Sequence, residues 1–252
     1  MAGVGTGAGR RADPIPILNA RSVRRTVHRW ATPVLSRVGL METPFQRDQR
    51  DMLTVAFGLV TFSEVQGDYL EFGVFKGDTF ADAWDVARRH GQKAMRFYAF
   101  DSFAGLPDPG RSAPDEGGEF VEGQFAYGRS SFERNLRRAR VDLSRVTVVE
   151  GFYEESLREI KPADLGLEVA SVVWIDCDLY SSTVCVLDFV SDVVKDGSVL
   201  VFDDWYCFRS RPDRGQQKAC AEWLERNPSL TLVPYRDFHW AGRSFVVNRD
   251  EV

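Results

Sequence analysis

Residues 169–206 read VASVVWIDCDLYSSTVCVLDFVSDVVKDGSVLVFDDWY, and the fold is decided there. Val169–Ile175 is an apolar run with hardly a polar residue, short enough for a strand and stopped by Asp176. Ser181–Val194 reads as a helix, and Ser198–Phe202 is a second apolar strand, stopped by Asp203. Strand, helix, strand in this order implies parallel neighbours joined by a right-handed crossover. Strands this apolar suit a sheet covered on both faces.

Working outward, the alternation continues. Gln49–Val65 reads as a helix, Asp68–Phe72 as a strand, Gly73–Gly77 as a turn and Thr79–His90 as a helix with Phe80, Ala83, Trp84 and Ala87 on one face. Arg96–Phe100 is a strand, Ser130–Arg140 a helix, Val146–Glu150 a strand and Glu154–Ile160 a short helix. Gly215–Arg226 is a helix, and Thr231–Pro234 with Ser244–Asn248 closes the chain as a strand pair. The expectation is an α/β fold: a doubly wound, Rossmann-like sheet, mostly parallel with a C-terminal antiparallel strand, preceded by a helical extension. Ligands in such sheets bind beyond the carboxyl ends of the strands.

Residues 1–15 are Gly/Ala-rich and predict a disordered tail. Residues 16–66 predict an N-terminal helical cap, with Val23, Val27, Trp30, Val34 and Val38 at roughly helical spacing, a break at Pro33, and solvated arginines. These helices also offer a surface for a homodimer. Residues 67–252 form the ligand-binding domain. Within it, residues 102–128 hold three prolines and six glycines and show no helical or strand period, so they predict a long loop. Its position after the second strand makes it a lid.

Composition narrows the partners. Lysine plus arginine number 32 against 37 acidic residues, a net charge of -5, which argues against nucleic acid because phosphate backbones need a basic stripe. No apolar run reaches the ~18 residues of a membrane span, and no secretory signal precedes the domain. Cys177, Cys185, Cys207 and Cys220 form no CxxC pair, which speaks against zinc or a disulfide framework and for reduced thiols in the cytoplasm.

The chemistry sits at the strand ends. Glu71 can accept hydrogen bonds from an amine or amide, Gly73 allows close backbone approach, and Gly77 opens the next helix near its positive end. The alternative for these glycines is an ordinary tight turn. Asp101 ends the second strand, placed either to accept ribose hydroxyls or to cap a loop. Gly151 gives room after the third strand, and Phe152 either packs on a flat heterocycle or joins the core. Asp176, Asp178, Asp203 and Asp204 follow two buried strands and converge on one crevice. Their mutual repulsion calls for a cation, and a hard divalent ion such as Mg2+ suits oxygen ligands. Alternatively, Asp178 caps the helix near Ser181, and Asp203 or Asp204 caps the turn before Trp205. His239 is a lone histidine beside the last hairpin, open to a general-base or a packing role.

The segments YLEFGVFKGDTF (69–80), FYAFDSFAGLP (97–107), VVEGFYEESL (148–157), VVWIDCDLYSST (172–183), GSVLVFDDWY (197–206) and GQQKACAEWL (215–224) together resemble the macrocin O-methyltransferase (TylF-type) family of class I methyltransferases. The resemblance implies methyl transfer from S-adenosylmethionine to a hydroxyl of a small molecule, a sugar or other part of a secondary metabolite, with help from Mg2+. By position it implies that Glu71, Gly73 and Gly77 lie on the methionine side of the cofactor. It further implies that Asp101 holds the ribose with Ser102 and Phe103 beside the adenine, that Asp176, Asp203 and Asp204 bind the metal, and that Asp176 serves as the base. Cys177, where these sugar methyltransferases tend to have glycine, is a departure, and Trp205 and Tyr206 add an aromatic mouth on the acceptor side. Two rivals remain. A nicotinamide-dependent oxidoreductase needs the G-x-G-x-x-G pattern, but Phe75 stands at its second glycine. A cofactor-binding protein without catalysis, or one that methylates nitrogen or carbon, shares the motifs and differs only in turnover.

Overall fold

A computed structural model describes residues 42–250 apart from 112 and 118. The chain divides into two compact units, Met1–Pro44 and Phe45–Val252, and the sheet lies in the second. The expected tail, most of the helical cap and the dimer surface lie outside the described residues.

The elements are α1 (Pro44–Phe62), β1 (Asp68–Phe72), α2 (Asp78–Arg89), β2 (Phe97–Asp101), α3 (Arg129–Arg138), β3 (Val146–Glu150), α4 (Tyr153–Glu159), β4 (Ala170–Ile175), α5 (Tyr180–Val190), β5 (Val194–Phe202), α6 (Gly215–Arg226), β6 (Leu230–Phe238) and β7 (Gly242–Arg249). They build one seven-stranded sheet in the order β3-β2-β1-β4-β5-β7-β6. β1 to β5 are parallel, and β7 inserts antiparallel between β5 and β6. The order reverses at β1, so β1 and β4 flank the switch point where such sheets hold ligands.

Side-chain alternation sorts the sheet into two faces. Tyr69, Phe97, Val172, Trp174, Val199 and Val201 pack with Met52, Phe57, Phe80, Trp84 and Phe132 from α1, α2 and α3. Leu70, Phe72, Tyr98, Phe100, Val173, Ile175, Leu200 and Phe202 pack with Val186, Leu187, Phe189, Ala219 and Trp223 from α5 and α6. Trp174 and Tyr69 are wholly buried; burying a large apolar side chain stabilises by about 1.5–3 kcal/mol.

Several boundaries shift for local reasons. The helix after β4 ends at Val190 rather than Val194, because Val194 already pairs with Ala170 as the start of β5. Gly197 then turns the strand at φ +81°, which leaves Ser198–Phe202 as its straight part. β6 runs on to Phe238, because it is an edge strand whose exposed residues show no apolar pattern. The four cysteines are free. No described helix is long and apolar enough to cross a membrane.

Candidate active site

The carboxyl ends of the parallel strands form one rim, and backbone strain gathers on it. Non-glycine residues with positive φ follow β1 (Phe75, +43°), β2 (Phe103, +53°), β4 (Asp178, +61°) and β5 (Phe208, Arg209 and Ser210, +55° to +57°), and His239 in the β6–β7 turn adds +34°. Each such residue costs on the order of 1–3 kcal/mol, which the surrounding contacts must hold in place.

Three of the four clustered aspartates meet. Asp176, Asp178 and Asp204 each bring a carboxylate oxygen within 4.8 Å of the others. Asp178 Oδ atoms and Asp176 receive no hydrogen bond among the described residues, while Asp204 accepts from the Asp178 N–H at 3.1 Å and from the Cys207 thiol at 3.7 Å. No lysine, arginine or histidine pairs with these three among the described residues. Burial, followed by the charges of Asp203, Asp204 and Asp178, pushes the Asp176 carboxyl well above the usual carboxylate range. Burial, with the charges of Asp203 and Asp101, pushes Asp178 up to about 7. Burial likewise raises Asp204, with Asp178 and Asp203 adding to it.

Asp203 stands apart from its neighbour. Successive residues point to opposite sheet faces, and the alternation persists past the strand end. Asp204 goes to the α6 side, where Gln216 accepts its N–H at 3.0 Å and donates to the Ile175 carbonyl at 3.1 Å, tying the tips of β4 and β5 together. Asp203 goes to the α1 side, where Gln49 reaches its two oxygens at 3.1 and 3.3 Å and His239 Nε2 lies 3.3 Å from Oδ1. The expected trio of Asp176, Asp203 and Asp204 is therefore replaced, as a close cluster, by Asp176, Asp178 and Asp204. Asp178 does not cap the following helix. Asp115 does, accepting from the N–H groups of Tyr180 and Ser181 and from the Ser181 hydroxyl.

On the β1 and β2 side, Glu71 is buried, points to the α1 face and accepts the Tyr69 hydroxyl at 2.5 Å. Burial raises its carboxyl well above the ordinary range, with the Tyr69 bond opposing and the Asp203 charge adding. Gly73 and Gly77 are required by the protein itself. A Cβ on Gly73 would stand 1.7 Å from the Asp176 carbonyl oxygen, and one on Gly77 2.8 Å from the Phe132 ring. Asp101 holds the turn after β1, its Oδ2 accepting the N–H groups of Val74 and Phe75 at 2.9 and 3.0 Å and its Oδ1 that of Phe103 at 2.6 Å. Ser102 closes a local turn, donating to Gly105 and accepting from Ala104. The Phe103 ring turns into the core against Phe132, at 5.6 Å between centroids. Gly151 has φ +138°, and Phe152 remains 37% exposed, so its ring is free to meet a ligand.

Trp205 and Tyr206 are placed by packing. Trp205 lies on Phe202 and Phe245, and Tyr206 donates to Asp237 at 2.9 Å on the β6–β7 hairpin. The loop 102–128 lies docked along the rim. Besides Asp115, Glu119 accepts the Phe208 N–H at 2.7 Å, Phe120 packs on Phe208, and Arg214 donates to the carbonyls of Ala113 and Glu116. Asp115, Gln49 and Gln216 went unread in the sequence. Each acts on a partner distant in the chain, and only the D-x-D spacing of Asp176 and Asp178 carried a local signal.

Comparison with known proteins follows this geometry. A family model described as macrocin-O-methyltransferase (TylF) matches residues 36–217. The 8-demethyl-8-(2,3-dimethoxy-alpha-L-rhamnosyl)-tetracenomycin-C 4'-O-methyltransferase of Streptomyces olivaceus is 28% identical over 70% of this chain and 64% of its own length. The demethyldecarbamoylnovobiocin O-methyltransferase of Streptomyces niveus is 24% identical over 57% of this chain and 54% of its own. The chain thus spans less than two thirds of either relative. The solved O-methyltransferase NovP shares the fold at a TM-score of 0.66, with 20% identity over 79% of each chain. The calicheamicin methyltransferase CalS11 does so at 0.67, with 19% identity over 96% of this chain and 99% of its own.

Proposed function

The chain belongs to the macrocin-O-methyltransferase (TylF) family, and on that premise we propose that it transfers a methyl group from S-adenosylmethionine to a hydroxyl of a small molecule, a sugar of a secondary metabolite. The observation that carries this reading is the convergence of Asp176, Asp178 and Asp204 at the tips of β4 and β5, beside the switch point of the sheet. The Streptomyces olivaceus relative is named for a rhamnosyl-bearing acceptor, which supports a sugar hydroxyl as acceptor here.

The donor set of the rim fits both missing groups. A sulfonium nucleoside is cationic at sulfur, and Asp101 and Asp176 lie on the rim without a lysine or arginine partner among the described residues, with Glu71 buried behind them. Three carboxylates, Asp178 buried and Asp176 and Asp204 half-buried, with oxygens close together and no counter-charge among the described residues, fit a hard divalent ion, and Mg2+ is proposed there with these three as ligands. When bound, S-adenosylmethionine supplies an electrophilic methyl carbon and Mg2+ lowers the pKa of an acceptor hydroxyl.

The chain's own residues do the rest. Asp101 holds the turn after β1 and keeps one acceptor position, on Oδ1, for a ribose hydroxyl. Phe152 offers an exposed ring to the adenine. The docked loop 102–128 excludes water, so the acceptor is held in line with the methyl group. The hydroxyl proton passes to a carboxylate oxygen of the Asp176–Asp178 pair. The sequence points to Asp176 for this step. Asp178, with a carboxylate oxygen within 4.8 Å of Asp176, completes the acidic cluster in which that proton is received.

The test is a transfer assay with labelled S-adenosylmethionine and deoxysugar-bearing acceptors, with Mg2+ or with chelator, alongside a titration of S-adenosylmethionine against NAD. Asp178→Asn is expected to lower kcat about 100-fold or more with cofactor affinity kept. Asp101→Asn is expected to weaken cofactor binding. Binding of NAD in place of S-adenosylmethionine would return the chain to the oxidoreductase reading. Cofactor binding without turnover on any acceptor would favour the non-catalytic one.

A further inference from the structure

The packed side chains behind Asp203 have no role in the mechanism above. His239 is buried to 2% side-chain exposure and Asp203 to 5%. The imidazole lies stacked on Phe45 and edge-on to Phe238, each at 4.3 Å between centroids. A Cβ on Gly242 would stand 2.4 Å from the Phe238 ring, so the hairpin that carries the histidine has no slack.

The hydrogen bonds fix where the ring proton sits. Nδ1 accepts the backbone N–H groups of Ala241 at 3.0 Å and Gly242 at 3.2 Å. A nitrogen facing two donors carries no proton, so the proton is on Nε2, which lies 3.3 Å from Asp203 Oδ1. An imidazolium would put a hydrogen on Nδ1 against those two N–H groups. A general base would need a free nitrogen lone pair, and His239 has none. Of the two roles the sequence left open, the base is thereby removed.

We infer that His239 is a positioning residue: in its neutral Nε2–H form it donates to Asp203, opposite Gln49, and so fixes the Asp203–Asp204 segment that presents Asp204 to the acidic cluster. Asp203 is the group that must be held. It lies within electrostatic reach of Glu71 and Asp176, and both repel it. Without the histidine N–H, one of its buried oxygens loses its donor from the hairpin, and the carboxylate is driven to rotate. Asp204 follows it in the chain, its N–H held by Gln216 and its carbonyl by the Cys207 N–H, so a rotation at Asp203 reaches the Asp204 carboxylate through their shared peptide. The kinetic part of this inference rests on the methyl-transfer reading; the hydrogen-bond assignment does not.

The experiment has two arms. In wild-type protein labelled with 15N-histidine, NMR at neutral pH is expected to show the buried ring with its proton on Nε2 and Nδ1 bare. A proton on Nδ1, or an imidazolium, overturns the inference whether or not the protein turns over. In the second arm, His239→Phe is expected to lower kcat about tenfold while the KM for S-adenosylmethionine stays put, and His239→Gln, whose amide N–H can reach Asp203, to recover to within about threefold of wild type. A His239→Phe enzyme with wild-type kcat, or a His239→Gln enzyme no better than His239→Phe, overturns it. Wild-type protein that binds cofactor and transfers nothing counts against the methyl-transfer reading instead, and the NMR arm still decides the hydrogen bond.

Discussion

At the scale of single residues, the rim is made of side chains with two duties. Gly73 illustrates the point. Its φ of +90° and the Asp176 carbonyl 1.7 Å from a would-be Cβ interlock the tips of β1 and β4. Gly73→Ala is expected to destabilise the protein by about 3 kcal/mol, seen as a lower midpoint in urea unfolding with an unchanged slope. A loss below about 0.5 kcal/mol would show that the strand tips are free to part. The residue types at this site were legible because strand ends are easy to locate. Their directions were not. Asp203 and Asp204 are adjacent in sequence and identical in chemistry, and only strand alternation, read past the end of β5, separates the one facing His239 from the one facing Asp178. Phe103 shows the same limit: an aromatic after β2 suggests a stacking partner for adenine, and its positive φ sends the ring into the core instead.

At the scale of elements, the loop 102–128 is fastened at a helix start. α5 has no cap of its own, since Leu179 precedes it, and Asp115 supplies the missing acceptor from 65 positions away in the chain. Capping acceptors of this kind are worth about 0.5–2 kcal/mol, and here the acceptor is also buried. Asp115→Ala is expected to lower stability by about 1–2 kcal/mol and to speed proteolytic cleavage within residues 105–125, with α5 remaining helical by circular dichroism. Unchanged cleavage would mean that Glu119 and Arg214 hold the loop unaided. Sequence reading found the loop from its prolines, glycines and lack of period, because those are local properties. It did not find the clasp, because a cap supplied from another segment leaves no mark near the helix it caps. Strand and helix centres were likewise legible from apolar runs, while the full length of β6 was not, its exposed side chains giving no alternation.

At the scale of the molecule, buried acid makes stability depend on pH and on cations. The Asp178 carboxyl ordinarily titrates at 3.8 and is raised to about 7 in the fold. Between those values the unfolded chain has released the proton that the folded chain still holds, so rising pH favours unfolding. Asp176, Asp204 and Glu71 are raised by burial too and act in the same sense. Ion-free protein is therefore expected to lose stability as pH rises from about 4 to about 7. Mg2+ should lift the high-pH arm, a rise in Tm at pH 8 that a calcium- and magnesium-free control lacks. Equal Tm values with and without Mg2+ would remove the cation from the site. The parallel pairing that brings these carboxylates to one rim followed from the strand–helix alternation, but the order of the strands and the place of β7 between β5 and β6 did not, since nothing in a hairpin says which strand enters the sheet first.

The left-handed residues beyond β1, β2, β4 and β5 also bear on how such an enzyme could diversify. Positions that hold an awkward backbone tolerate few substitutions, because most replacements shift the loop as well as the side chain. A lineage exploring new acceptors would find these springs closed to change. Variation that retunes selectivity should instead accumulate midway along the 102–128 segment, at an outward-facing place such as Val121, where a new side chain alters what is touched without moving the reactive carboxylates.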